Sequence, residues 1–329
     1  MQQSEDRIPV TVLTGFLGSG KTTLLNRILR EQHGRRIAVI ENEFGEAAID
    51  NELLLETHDE QIVVMNNGCI CCTVRGDLVR ILGDLARKRR SGTLEFERVI
   101  IETTGLADPA PVAQTFFMNL DIARDYLLDA ILTVVDAKHA QQQLDDRSEA
   151  REQVAFADCL LISKSDLVDT AQCDALRARL VALNPRAVQH VVAFGAVPIE
   201  HILDIRGFSI DAALHIDPAF LERDGHAHDL DISSFVFRDT KPFDPVRLDA
   251  FMRLLIQQYG ADMLRYKGVL YVQGRPCRVL MQGVHMVMGA QEGEPWKGDE
   301  TPASTLVFIG RKLPRRVFEE GLRYCLTGC

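Results

Sequence analysis

The feature that most restricts the fold is the octapeptide Gly15-Phe16-Leu17-Gly18-Ser19-Gly20-Lys21-Thr22. It closes the apolar run 8–15 and opens an amphipathic stretch over 21–32, the strand–loop–helix setting in which G-x-x-x-x-G-K-[ST] cradles phosphates. Gly15, Gly18 and Gly20 let the backbone curl so that successive N–H groups point inward. The helix start adds its dipole, Lys21 a point charge for the β- and γ-phosphates, and Thr22 a hydroxyl for Mg²⁺. Gly15 through Thr23 are therefore expected to hold a nucleoside triphosphate.

Around this loop, short apolar runs alternate with helical patterns. Strands are expected at 8–15, 36–42, 61–67, 97–103, 129–137, 157–163 and 187–193, and helices at 21–32, 74–90 and 170–183. Most of the runs are Val, Ile and Leu without polar alternation, as in a parallel sheet covered by helices on both faces. The fold class expected is α/β, a P-loop NTPase domain with a mostly parallel sheet, followed by a smaller α+β C-terminal domain. The first is placed at 1–205, a polar linker at 206–231, and the second at 232–329. In the latter, strands are expected at 232–238, 268–273, 277–283, 284–289 and 304–310, with a helix capped by Asp244-Pro245 and another from Pro314.

The charge balance narrows the partners. A net charge of −10 argues against nucleic acid, which needs clustered Lys and Arg. The run Arg87-Lys88-Arg89-Arg90 reads as a solvated helix C-terminus. No stretch approaches the ~18 apolar residues of a membrane helix, and the first residues lack a basic-then-apolar leader. No membrane partner and a cytosolic location are expected.

Two further motifs belong to the phosphate site. The strand 97–103 carries Glu102 at its end, followed by Thr103-Thr104-Gly105, where the acid can reach Mg²⁺ and the Gly105 N–H the γ-phosphate. The strand 157–163 ends in Ser163-Lys164-Ser165-Asp166, similar to the N-K-x-D guanine reader. Asp166 would accept from the N1–H and N2 amino edge of guanine while the Lys164 stem packs on the base. Ser163 stands where that pattern has Asn.

Cys69, Cys71 and Cys72 lie in a loop marked by Asn66-Asn67-Gly68. Reduced thiols so clustered in a cytosolic chain point to a soft metal, Zn²⁺, Cu⁺ or an Fe–S cluster, since C-x-C-C lacks the spacing of a thioredoxin-like pair. Glu41, Glu46, His33 or His58 could complete the sphere. Cys159 reads as core, and His226 with His228 as solvated linker residues.

Taken in order, GFLGSGKTT, ENEFGE, NNGCICC, ETTGLADP and SKSD resemble the CobW family of P-loop GTPases, and the stretches LRYKGVLY and TLVFIG resemble its C-terminal domain. The resemblance implies a slow GTP hydrolase using GTP and Mg²⁺, with Thr22 and Glu102 at magnesium. It also implies a Zn²⁺ site (Co²⁺ or Ni²⁺ as alternatives) at Cys69, Cys71, Cys72, Glu41 and Glu46, and delivery of the metal to a client metalloprotein or cofactor-biosynthesis enzyme. A homodimer could complete the site. The rival readings are a P-loop kinase or ATPase, and a metal buffer or sensor in which nucleotide is structural.

Overall fold

The computed structural model describes residues 7–31, 34–41, 53–57, 60–66, 74–193, 196–205, 232–298 and 300–328, with backbone only for 53–57, 60–66 and 74–75. Two compact units are present, one of Met1–Arg177 with Ala187–Gly207, the other of Ala178–Arg186 with Phe208–Cys329. The expected linker, 206–231, lies outside the described residues.

The first unit is built on an eight-stranded sheet. Its strands are β1 (Ile8–Thr14), β2 (Ile37–Glu41), β3 (Leu53–Thr57), β4 (Glu60–Asn66), β5 (Arg98–Glu102), β6 (Tyr126–Asp136), β7 (Cys159–Ser163) and β8 (Val188–Val192), in the order β3-β4-β2-β5-β1-β6-β7-β8. Every pairing is parallel except β3 with β4. The apolar runs that predicted buried strands are buried: Val10, Val12, Val39, Val99, Ala130 and Leu161 are at most 1% exposed. Helices α1 (Lys21–Arg30), α2 (Val74–Arg90), α3 (Ala110–Met118), α4 (Leu120–Asp125), α5 (Ala140–Asp146) and α6 (Ser148–Phe156) belong to the crossovers and flanks, and α7 (Thr170–Leu183) begins in this unit and ends in the other. Leu24, Leu25 and Ile28 of α1 join Leu13, Val39, Ile100 and Leu132 in one core cluster.

One buried charge cluster interrupts that core. Arg98, 2% exposed, donates to Asp129 Oδ2 at 2.8 Å and Thr11 Oγ1 at 3.1 Å, and also meets Asp204. It links the neighbouring strands β5, β1 and β6.

The second unit carries a five-stranded antiparallel sheet of β9 (Ile232–Asp239), β10 (Met263–Leu270), β11 (Cys277–Val284), β12 (Val287–Pro295) and β13 (Ser304–Arg311), in the order β12-β11-β10-β13-β9. Helices α8 (Pro245–Tyr259) and α9 (Arg315–Tyr324) pack on one face through Leu248, Met252, Leu255, Phe318 and Leu322 against Phe235, Tyr266 and Phe308. Asp244 caps α8 as expected, its Oδ1 accepting from the N–H groups of Val246 and Arg247 at 2.9 and 3.0 Å. Two expectations need correction. The strand placed at 268–273 runs over Met263–Leu270 instead, because its first half contains the buried charged residues Arg265 and Lys267, which mask it in an apolar scan. The strand placed at 284–289 starts later and runs further, as β12 from Val287 to Pro295, because a hairpin turn at residues 285–286, with His285 at φ 52°, separates it from β11.

Candidate functional site: a phosphate loop beside a base-reading loop

The site grows from the C-terminal end of β1. Gly15 has φ 143°, and a Cβ there would lie 2.4 Å from the Val134 carbonyl oxygen and 2.8 Å from Ser19 Oγ, so only glycine fits. Gly20, at φ 101°, turns the loop into the first turn of α1, whose unpaired N–H groups open onto it. Lys21 folds back over the loop, its Nζ donating to the carbonyls of Gly15 at 2.9 Å and Phe16 at 3.4 Å. Burial of the ammonium lowers its pKa, an effect that the nearby Glu102 carboxylate opposes. The Ser19 hydroxyl is buried and, among the described residues, has no hydrogen-bond partner. A buried donor left open at the mouth of a phosphate loop suits an anionic oxygen.

Opposite stands β5, whose last residue is Glu102. The Thr22 hydroxyl donates to Glu102 Oε1 at 3.0 Å, so the two candidate Mg²⁺ residues touch. A hydroxyl beside a carboxylate is the oxygen donor set that a hard cation takes. The following loop is tied down at several points. Thr103 N–H donates to the Leu13 carbonyl at 2.9 Å and Thr103 Oγ1 to Thr14 Oγ1 at 2.8 Å. Gly105 lies so close to the phosphate loop that a Cβ on it would come within 2.6–2.8 Å of Leu17.

Sequence reasoning missed a residue here. Gln153 on α6, 1% exposed, donates Nε2 to the carbonyls of both Gly105 and Ala107 at 3.1 Å and so holds the loop from below. Nothing in the polar–apolar pattern of α6 distinguishes it; only the packing does.

The loop expected to read the base follows β7. Ser163 donates its hydroxyl to the Ser19 carbonyl at 2.6 Å and approaches the Val135 carbonyl at 3.3 Å. Its single proton is thus spent on a backbone carbonyl of the phosphate loop. Lys164 adopts the left-handed conformation, φ 54°, and its Nζ donates to the Gly18 carbonyl at 2.6 Å. Asp166 sits exposed in a single turn, Ser165–Leu167.

The candidate metal ligands divide. Glu46, Cys69, Cys71 and Cys72, with His33, His58, His226 and His228, lie outside the described residues. Glu41 is described, and its place is informative. It ends β2 and is in register with Asn66 at the end of β4 on one side and with Glu102 at the end of β5 on the other. Among the described residues no group of three His, Cys, Asp or Glu could hold a metal. Cys159 is core, as expected, and burial pushes its thiol up to about 12.

Comparison with known proteins agrees with this geometry. The chain is 41% identical over 322 residues to the zinc chaperone YjiA of Escherichia coli, covering 98% of each. It is 34% identical to the zinc chaperone CobW of Pseudomonas aeruginosa, covering 98% of this chain and 92% of the other. The crystal structure of Zn(II)-bound YjiA GTPase superposes with a TM-score of 0.81 at 37% identity, over 97% of this chain and 99% of that one. Residues 9–190 match the nucleotide-binding domain of CobW/HypB/UreG, and residues 232–326 match the C-terminal domain of the cobalamin synthesis protein cobW. With both domain models matched in order and the fold superposing on YjiA over nearly the whole chain, the chain belongs to the CobW/HypB/UreG family.

Proposed function

We propose that this protein is a GTPase whose nucleotide state sets the affinity of a transition-metal site and that delivers the metal, zinc first, with cobalt as the alternative, to a client protein. The observation that carries the proposal is the strand register. Parallel strands lie about 4.8 Å apart, and β4, β2, β5 and β1 are consecutive neighbours that all end at the same edge. Asn66, from which the chain runs into Cys69, Cys71 and Cys72, is in register with Glu41, and Glu41 with Glu102. The cysteine loop is therefore rooted two strands from Glu102, whose carboxylate touches Thr22.

In this reading Gly15 to Thr23 and Gly105 bind the phosphates, and Lys164 and Asp166 bind the base. Thr22 and Glu102 would hold Mg²⁺, which supplies charge neutralisation at the phosphates when bound. Cys69, Cys71 and Cys72 with Glu41 and Glu46 would hold the cargo metal, thiolates favouring Zn²⁺ over harder ions. Hydrolysis without a partner is expected to be slow, and no residue is assigned to orient the attacking water. The names of the relatives support zinc as cargo. Among the described residues no helix is long and apolar enough to cross a membrane, and the cytosol is the proposed place of work.

Movement of the loops carrying Glu41 and Glu102 with the γ-phosphate changes the geometry offered to the metal, and linkage then requires metal to change nucleotide affinity by the same factor. The test is Zn²⁺ and Co²⁺ affinity by chelator competition with GDP and with a non-hydrolysable GTP analogue, on the native protein and on Cys71→Ser. A nucleotide dependence that disappears with Cys71→Ser is expected. Tight binding indifferent to nucleotide would make the cluster a buffer and refute the coupling.

A further inference from the structure

One buried acid has no task in the reading above. Asp136 ends β6 and is 2% exposed, and burying a carboxylate is costly unless it is well paired. Its two oxygens do different things. Oδ1 accepts the N–H groups of Lys138 and His139 at 2.9 and 3.3 Å, closing the turn into α5. Oδ2 lies 2.7 Å from Lys164 Nζ and 2.9 Å from His139 Nδ1. Capping the turn needs Oδ1 alone. The charge is needed at Oδ2, where it meets an ammonium already donating to the Gly18 carbonyl of the phosphate loop.

Lys164 is also one of the few described non-glycine residues with positive φ. That conformation is costly and persists only where the surroundings over-determine it. It is what turns the chain out of β7 into the turn bearing Asp166. We propose that Asp136 is a positioning residue for base recognition. By pinning the Lys164 ammonium to the Gly18 carbonyl, it fixes the left-handed turn and so sets Asp166 against the base edge. The inference rests on Asp166 being the guanine contact.

The test is a double-mutant cycle of Asp136→Asn and Lys164→Met, read by the dissociation constants of GTP, ITP and ATP and by the melting temperature. ITP lacks the 2-amino group that Asp166 would accept from, so the GTP to ITP ratio reports the placement of Asp166 separately from the phosphates. Asparagine keeps an acceptor for the turn but turns a neutral amide toward Lys164. Asp136→Asn is expected to weaken GTP by about tenfold, the scale of one charge-assisted hydrogen bond, and to narrow the GTP to ITP ratio. In the Lys164→Met background the same substitution should cost nothing further. An unchanged GTP to ITP ratio, or equal penalties in both backgrounds, would overturn the proposal. If Asp136→Asn does not fold, Asp136→Glu keeps the charge and displaces it by one methylene, and its ratio is read the same way. Native protein that binds GTP and ITP alike would overturn the guanine reading itself, and this inference with it.

Discussion

Asp166→Asn tests the base reading with little disturbance of the fold. The side chain is exposed, and no hydrogen bond or ion pair to it is made within the described residues, so stability should hold. Its carboxylate offers two acceptors to guanine, one for N1–H and one for the 2-amino group. Asparagine offers one acceptor and one donor, so one contact survives without its charge and the other becomes donor against donor. Hydrogen bonds to charged groups contribute about 1.5–3 kcal/mol each. Losing one and weakening the other costs roughly 3 kcal/mol, a factor of about 100 in affinity at 1.4 kcal/mol per decade. The Ser163 hydroxyl, held 2.6 Å from the Ser19 carbonyl, cannot compensate. Xanthine carries a carbonyl at the 2-position, which the asparagine amide can meet, so XTP should gain while GTP loses. Competition titration of GTP, XTP and ATP against a fluorescent nucleotide reads all three. GTP affinity unchanged in the variant, or native protein binding ATP as tightly as GTP, would refute the reasoning.

Other consequences are equally direct. Arg98→Met strips Asp129 of its buried guanidinium and should cost about 3–5 kcal/mol in urea unfolding, with much of the loss recovered in Arg98→Met/Asp129→Leu; equal stability of single and double variants would contradict this. Gln153→Ala frees the Gly105 and Ala107 carbonyls and, if Gly105 meets the γ-phosphate as proposed, should weaken GTP while leaving GDP alone; parallel losses for both nucleotides would point to general damage. The pH dependence of the nucleotide-free protein follows from Lys21. Burial lowers its pKa below the ordinary 10.5, so between the lowered value and 10.5 the unfolded chain binds more protons and stability rises with pH. Lys21→Met should remove that rise in denaturant titrations toward pH 10.5, and an identical slope in the variant would show that Lys21 is not its source. Gly15→Ala should abolish nucleotide binding, since its Cβ would collide with the Val134 backbone; retained binding by calorimetry would mean the loop can relax.

Much of the nucleotide side was legible because its signals are local. A glycine must supply φ 143° at Gly15, and an apolar run must end where Glu102 leaves the sheet. What escaped was decided by contacts between distant segments. Asp136 ends its apolar strand as Glu102 does, yet only the folded chain brings Lys164, 28 residues on, to its carboxylate. The antiparallel strand β3 (Leu53–Thr57) was unread because its apolar run, Leu53 to Leu55, is only three residues long before Glu56. Strand β10 was shifted because Arg265 and Lys267 are buried by neighbours that periodicity does not see.

By itself the sequence determined the fold class, the phosphate loop and the family, since each depends on spacing along the chain: glycines where the backbone must turn, branched residues where both faces are covered. The tertiary structure alone decided strand order, and with it that Asn66, Glu41 and Glu102 end side by side next to the strand that leads into Gly15. It also decided that Ser163 and Lys164 spend their donors on the carbonyls of Ser19 and Gly18. Adjacency between strands is set by the packing of helices on both sheet faces, a balance over the whole core, and no local pattern encodes it.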